Sequence, residues 1–247
     1  MVYIVGAGSG DPELITVKGL KRVENADIII YAGSLVNPEI LKSAKEGCEI
    51  HNSAYMNLDE VIEVIERGHK EGKDIVRLHT GDPSIYGAIR EQMDILREKN
   101  IPFENIAGVS SFCGASSVLQ EEYTLPGVTQ TVILTRMEGR TAVPEKESIE
   151  SLSKHNATMI IFLSVGMIEE LSERLMVGYS EDTPVAVVYK ATWVDQKIVR
   201  GTLKDIAKKT KEAGITKTAL VIVGNCLGND YELSKLYDKN FKTEFRG

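Results

Sequence analysis

The chain has 247 residues, with 29 Lys and Arg against 36 Asp and Glu for a formal charge of −7, and 43% of its residues are hydrophobic. An acidic chain of this balance is no general binder of nucleic acid, and its apolar content suffices for a sizeable core in one or two domains. No apolar run reaches the roughly 20 residues that a membrane helix needs, and residues 1–6 lack the basic start and cleavage site of a signal peptide, so the expectation is a cytoplasmic protein without membrane contact.

Short β-branched runs alternate with helical stretches, the pattern of an α/β fold. In the first half the sequence predicts strands at 2–5, 28–31, 49–50 and 75–78 and a short segment leading to Ala107, with helices near 14–23, 38–44, 57–69, 85–98 and 111–121. The helix at 57–69 is the clearest. Leu58, Val61, Ile62 and Ile65 repeat at i, i+3, i+4 and i+7, Asn57 and Glu60 have the spacing of a capping box, and Gly68 and Gly72 mark the end. In the helix at 85–98, Ile85, Ile89, Met93 and Leu96 fall on one stripe. The pattern pauses at Leu125-Pro126-Gly127, which sets an expected boundary between a lobe of residues 1–124 and one of residues 125–247, each with about five strands. The second half predicts strands at 131–135, 158–163, 185–189, 198–199 and 219–223 and helices near 147–154, 168–176 and 203–213. Unbroken apolar runs at 28–30, 159–162 and 220–223 suit strands covered on both faces. Residues 185–189 and 197–200 flank a turn-like stretch and are suited to antiparallel pairing, so a mixed second sheet is expected.

Three strand-end motifs are candidates for chemistry. Gly6-Ala7-Gly8-Ser9-Gly10-Asp11 has the position of a dinucleotide fingerprint but not its spacing: the third glycine comes one residue early, Asp11 would repel a pyrophosphate, and the second strand ends in Tyr31-Ala32-Gly33 rather than an acidic residue. A tight turn without a ligand remains open for it. His79-Thr80-Gly81-Asp82-Pro83 follows a strand and precedes a helical pattern, where Asp82 as N-cap and Pro83 at the first helical position would already explain the pair. Loops beyond the carboxyl ends of strands are also where open α/β sheets bind ligands. The third motif is Ala107-Gly108-Val109-Ser110-Ser111-Phe112, whose serines suit either a helix cap or a ligand. No Ser/His/Asp order, H-E-x-x-H or Walker A pattern is present. Cys48, Cys113 and Cys226 are far apart and read as small apolar residues, so neither a disulfide framework nor a metal site is expected. Of His51, His69, His79 and His155, only His79 stands at a candidate site, as a residue that could accept a proton.

Taken in order, residues 5–16, Gly81-Asp82-Pro83 with Tyr86-Gly87, Gly108-Val109-Ser110-Ser111, and Thr218 to Gly224 resemble the tetrapyrrole methylases, with Ser9 where several relatives have proline. Within that family, Tyr31-Ala32-Gly33-Ser34-Leu35-Val36-Asn37-Pro38-Glu39, with residues 135–141 and 143–145, resembles the branch that methylates C11 of precorrin-4 or its cobalt form. The resemblance implies two α/β/α lobes around mainly parallel or mixed sheets, S-adenosylmethionine in the cleft between them, a tetrapyrrole substrate with or without cobalt, and a homodimer. Carried residue by residue, it places donor contacts on Thr80, Gly81, Asp82, Ile85, Ser110 and Ser111, and in the second lobe on Val165, Ala191 and Ala219. It names no catalytic acid or base. A substrate fringed by carboxylates needs local cations on an acidic protein, and Lys18, Arg90, Arg136, Arg140 and Lys190 lie in or near strand-end regions. The competing readings are a methylase of the same fold with another acceptor, namely a different corrin carbon, uroporphyrinogen, diphthine or ribosomal RNA. A non-catalytic carrier of a tetrapyrrole or nucleotide, and a dehydrogenase, complete the alternatives.

Overall fold

Val2–Gly6 is a run of five residues without a charged side chain, and as strand β1 all five are buried between parallel neighbours. A computed structural model describes residues 1–238, 241, 242 and 244, apart from the side chains of Ser34 and Tyr237. The chain divides into two compact units: one of Met1–Val118 with Lys190–Gln196, the other of Leu119–Tyr189 with Lys197–Gly247.

The first unit is built on a five-stranded sheet. β1, β2 (Ile28–Tyr31), β3 (Glu49–Asn52), β4 (Ile75–His79) and β5 (Phe103–Ile106) lie in the order β3-β2-β4-β1-β5, every pairing parallel. Helices α1 (Val17–Asn25), α2 (Leu58–Lys70), α3 (Arg90–Glu98) and α4 (Ser111–Leu119) accompany it. Strand alternation sorts the side chains into two cores. Tyr3, Val5, Ile29, Val76 and Leu78 pack with Ile15, Val23 and Ile40 on one face. Val2, Ile28, Ile30 and Ile75 pack with Val61, Ile62, Ile65 and Leu96 on the other. That second face of β4 continues from Ile75 to Arg77 and His79, which places two ionisable side chains where the strand pattern would otherwise call for apolar ones.

The capping box of α2 forms as expected: Asn57 Oδ1 accepts from the Glu60 N–H at 3.0 Å, and Glu60 Oε2 accepts from the Asn57 N–H at 2.7 Å. Two expected helices differ. Residues 38–43 form a 3-10 helix, opened by Asn37 and Pro38. The helix expected at 85–98 begins only at Arg90, because Tyr86 and Ala88 have φ of 53° and 47°, in the left-handed region that no right-handed helix admits.

The second unit has its own sheet, β6 (Val132–Arg136), β7 (Thr158–Phe162), β8 (Pro184–Tyr189), β9 (Lys197–Thr202) and β10 (Ala219–Val223), in the order β6-β7-β10-β8-β9. Only β6 and β7 run parallel; β10 is antiparallel to both its neighbours and β8 to β9, so the sheet is mixed. Helices α5 (Ile149–Ser153), α6 (Ile168–Leu175) and α7 (Ile206–Glu212) contribute Ile149, Ile168, Leu171, Leu175 and Ile206 to its core. Among the described residues no helix is long and apolar enough to cross a membrane.

Candidate active site

Because all strands of the first sheet are parallel, the loops after β1, β4 and β5, three adjacent strands, emerge at one edge. Glycine sets how closely they approach. A Cβ on Gly108 would lie 2.1 Å from the Gly81 carbonyl oxygen and 2.7 Å from Gly6 Cα, and one on Gly6 would lie 2.6 Å from Gly108 Cα. The first two loops are stitched together as well: the Gly81 N–H donates to the Gly8 carbonyl at 2.8 Å, and the Ala7 N–H to the His79 carbonyl at 2.7 Å.

Asp82 ties the third loop to the second. Its Oδ2 accepts from the Gly108 N–H at 2.8 Å, while Oδ1 accepts from the Ser84 N–H at 2.8 Å and from the Ser84 hydroxyl. Partial burial is the largest influence on its pKa and acts upward, but the Ser84 hydroxyl and the N–H groups of Gly108 and Ser84 together hold it below the usual carboxylate value. Asp82 caps a tight turn rather than a helix, with the Ile85 N–H returning to its carbonyl at 3.2 Å. Thr80 and Ser111 are half-buried beside it, and Ser110 is buried where α4 begins, its carbonyl accepting from the N–H groups of Cys113 and Gly114. No intrachain hydrogen bond engages the hydroxyls of Thr80, Ser110 or Ser111 among the described residues. Thr80, Gly81, Asp82, Ile85, Ser110 and Ser111 are thus brought to neighbouring loops of one unit.

The glycine loop after β1 is occupied by protein. A Cβ on Gly10, whose φ is 156°, would meet Trp193 Cδ1 at 2.1 Å, so the bare glycine accommodates the indole. Thr192 Oγ1 lies 3.0 Å from Ser9 Oγ and accepts from the Asp11 N–H at 3.0 Å. Asn37 Nδ2 donates to the Gly10 carbonyl at 2.8 Å. The loop that resembled a dinucleotide fingerprint is therefore a receptor for Thr192, Trp193 and Asn37. The sequence carries no signal for the first two, which lie some 180 residues away; Asn37 falls inside the distinctive 31–39 segment.

The remaining candidates divide between the two units. Ala191 belongs with the first unit's 190–196 segment, whereas Val165 and Ala219 are part of the second unit's apolar core. Four of the five candidate cations are already engaged. Lys18 pairs with Glu104, Arg90 Nε with both oxygens of Asp94 at 2.8 and 3.0 Å, and Lys190 with Asp195 at 2.7 Å while lying over the Trp193 ring. Arg136 donates to the carbonyls of Met137, Thr141 and Ala142. Arg140 is exposed and makes no ion pair among the described residues.

His79 is only 4% exposed, and its Nε2 has no hydrogen-bond partner. Burial, reinforced by the Arg77 guanidinium, lowers its pKa to about 3. An imidazole held that far below neutrality stays uncharged and is a weak proton acceptor.

A family model for the tetrapyrrole (corrin/porphyrin) methylases matches residues 1–207. The cobalt-precorrin-4 C(11)-methyltransferase of Methanocaldococcus jannaschii is 60% identical over 247 residues, covering 99% of this chain and 95% of that protein. The enzyme of the same name from Priestia megaterium is 47% identical, covering 99% of this chain and 97% of its own length. A solved X-ray structure of a cobalamin biosynthetic enzyme, cobalt precorrin-4 methyltransferase, superposes with a TM-score of 0.90 at 47% identity, over 92% of this chain and 96% of that one.

Proposed function

Because the chain belongs to the tetrapyrrole methylases, we propose that it transfers the methyl group of S-adenosylmethionine to C11 of cobalt-precorrin-4, within cobalamin biosynthesis. The observation that carries this reading is the likeness, nearly end to end, to enzymes named for that reaction. The loops of the first unit suit such a donor: three hydroxyls without protein partners stand beside turns that glycine lets pack closely together.

When bound, the donor supplies a methyl group already activated on a sulfonium. What the chain contributes is alignment. Asp82 spends both carboxylate oxygens on its own loops, so its work is to hold Gly81 and Gly108 in place. The hydroxyls of Thr80, Ser110 and Ser111 are the groups left to orient the ligand. Fixing two reactants in line contributes roughly 7–11 kcal/mol to lowering such a barrier, enough to make positioning the principal catalytic device. Neutral His79 adds no charge to this edge of the sheet. For the carboxylates of the substrate, Arg140 is the one of the five candidate cations left free to bind, while Arg136 shapes the loop that presents it. Arg140→Ala then raises KM for the tetrapyrrole several-fold and leaves donor affinity unchanged.

The deciding experiment incubates the protein with methyl-labelled donor and the cobalt-precorrin-4-level intermediate, and locates the label by NMR. Label on C11 with release of S-adenosylhomocysteine supports the reading. Label on another ring carbon, or donor returned intact as a carrier would return it, overturns it. A cytoplasmic homodimer accompanies this reading, and sedimentation of the purified chain tests the dimer.

A further inference from the structure

Arg77 is 6% exposed and makes no ion pair among the described residues; its partners are neutral. Nη1 donates to the Ile30 carbonyl at 3.1 Å on the neighbouring strand, and Nε donates to Gln92 Oε1 at 3.1 Å. Burial depresses its pKa to about 10, a sign of what it costs to keep this cation inside without a counter-charge. Along the same face of β4, Ile75 fills the core with an apolar side chain, so packing alone does not call for arginine.

The hydrogen bonds show where that cost is used. A guanidinium only donates, so the Gln92 carbonyl oxygen must face it, and the Gln92 amide then points its N–H2 the other way. There it donates to the Ala88 carbonyl at 3.3 Å. Ala88 ends a loop with three residues in the left-handed region, Gly81, Tyr86 and Ala88. The loop is also closed on itself, since a Cβ on Gly87 would lie 2.2 Å from the Pro83 carbonyl oxygen. A conformation this costly for non-glycine residues persists only where its surroundings hold it. At one end Asp82 anchors it to Gly108; at the other, Gln92 anchors it to Arg77.

We infer that Arg77, acting through Gln92 and the Ala88 carbonyl, is a positioning residue that fixes the 82–89 loop in the shape that receives the methyl donor. The inference rests on the proposed donor reading and adds to it a residue buried beneath the site that touches no ligand. Arg77 stays inside because a rigid, always-charged fork can satisfy Ile30 and Gln92 together, which no apolar side chain can do.

The test separates the two links of the relay. Gln92→Glu still accepts from Arg77 Nε but cannot donate to Ala88, whereas Gln92→Ala loses both bonds. S-adenosylhomocysteine is titrated calorimetrically into the full-length wild type and both variants, with hydrogen exchange of residues 83–89 and thermal denaturation alongside. Gln92→Glu is expected to raise Kd roughly five- to tenfold, the loss of one buried hydrogen bond, Gln92→Ala at least as much, and both to speed exchange in the loop. Gln92→Glu should do so with Tm close to wild type. Binding by Gln92→Glu within twofold of wild type, or unchanged loop exchange, overturns the inference. Wild-type protein that does not bind the probe overturns the donor reading instead, and faster loop exchange in Gln92→Glu would still uphold the link from Gln92 to the Ala88 carbonyl.

Discussion

The first unit contains the same three letters twice, Gly10-Asp11-Pro12 after β1 and Gly81-Asp82-Pro83 after β4, on adjacent parallel strands. Locally the two turns are alike: the aspartate accepts from the N–H two residues on, Glu13 at 2.9 Å in one and Ser84 at 2.8 Å in the other. Beyond that they diverge. The first turn is closed over by Thr192 and Trp193. The second spends its other carboxylate oxygen on Gly108 and leaves Thr80, Ser110 and Ser111 with hydroxyls to offer. An Asp-Pro turn is thus a local device whose use is set by what packs against it, and only the second has hydroxyls without intrachain partners beside it.

This contrast can be broken most severely at the crossing of the three loops. Gly108→Ala places a methyl 2.1 Å from the Gly81 oxygen, with backbone on every side; the expected loss is about 3 kcal/mol in denaturant unfolding, with donor binding lost too. The roots of the two turns sharpen it next, because the strand register sets Gly6 opposite His79. The buried imidazole is neutral in the folded state, with a pKa of about 3 against an ordinary 6.5, so the stability gained from keeping it uncharged is complete above pH 6.5 and falls away as the pH drops toward 3. It contributes a slope of up to about 1.4 kcal/mol per pH unit in that window. His79→Gln should flatten the slope, and an unchanged acid limb in urea titrations would show that His79 is not the buried group responsible.

Smaller effects separate the aspartates themselves. Asp82→Asn turns one acceptor into a donor facing the Gly108 N–H, for an expected loss of about 1–2 kcal/mol and weaker binding of S-adenosylhomocysteine by calorimetry. Stability loss alone would reduce Asp82 to a strut. Asp11→Asn retains a carbonyl for Glu13 and should cost less than about 0.5 kcal/mol, with donor affinity unaltered. Equal behaviour of the two variants would remove the distinction between the turns.

Much of this architecture could be read in the chain. Ile28–Tyr31, Thr158–Phe162 and Ala219–Val223 are apolar enough that burial on both faces is their natural state. Asn57 and Glu60 specify a helix start within four residues. The helix at 85–98 misled because Ile85, Ile89, Met93 and Leu96 keep a helical spacing whether or not the backbone between the first two is helical; what breaks it is the left-handed backbone at Tyr86 and Ala88. The candidate cations were legible as charges but not as free or paired ones, since Lys18 finds Glu104 some 86 residues away.

The sequence by itself determined what depends on near neighbours: strand and helix type, caps, Asx-Pro turns, and a family signature spread over both halves. Only the tertiary structure decided which glycine turn is filled by Trp193 and which cations remain unpaired. It also decided that His79 is held neutral and that Arg77 reaches the 82–89 loop through Gln92. The reason is physical: propensity and capping act over a few residues, whereas burial, close backbone approach and charge pairing depend on distance in space, which distance along the chain does not reveal.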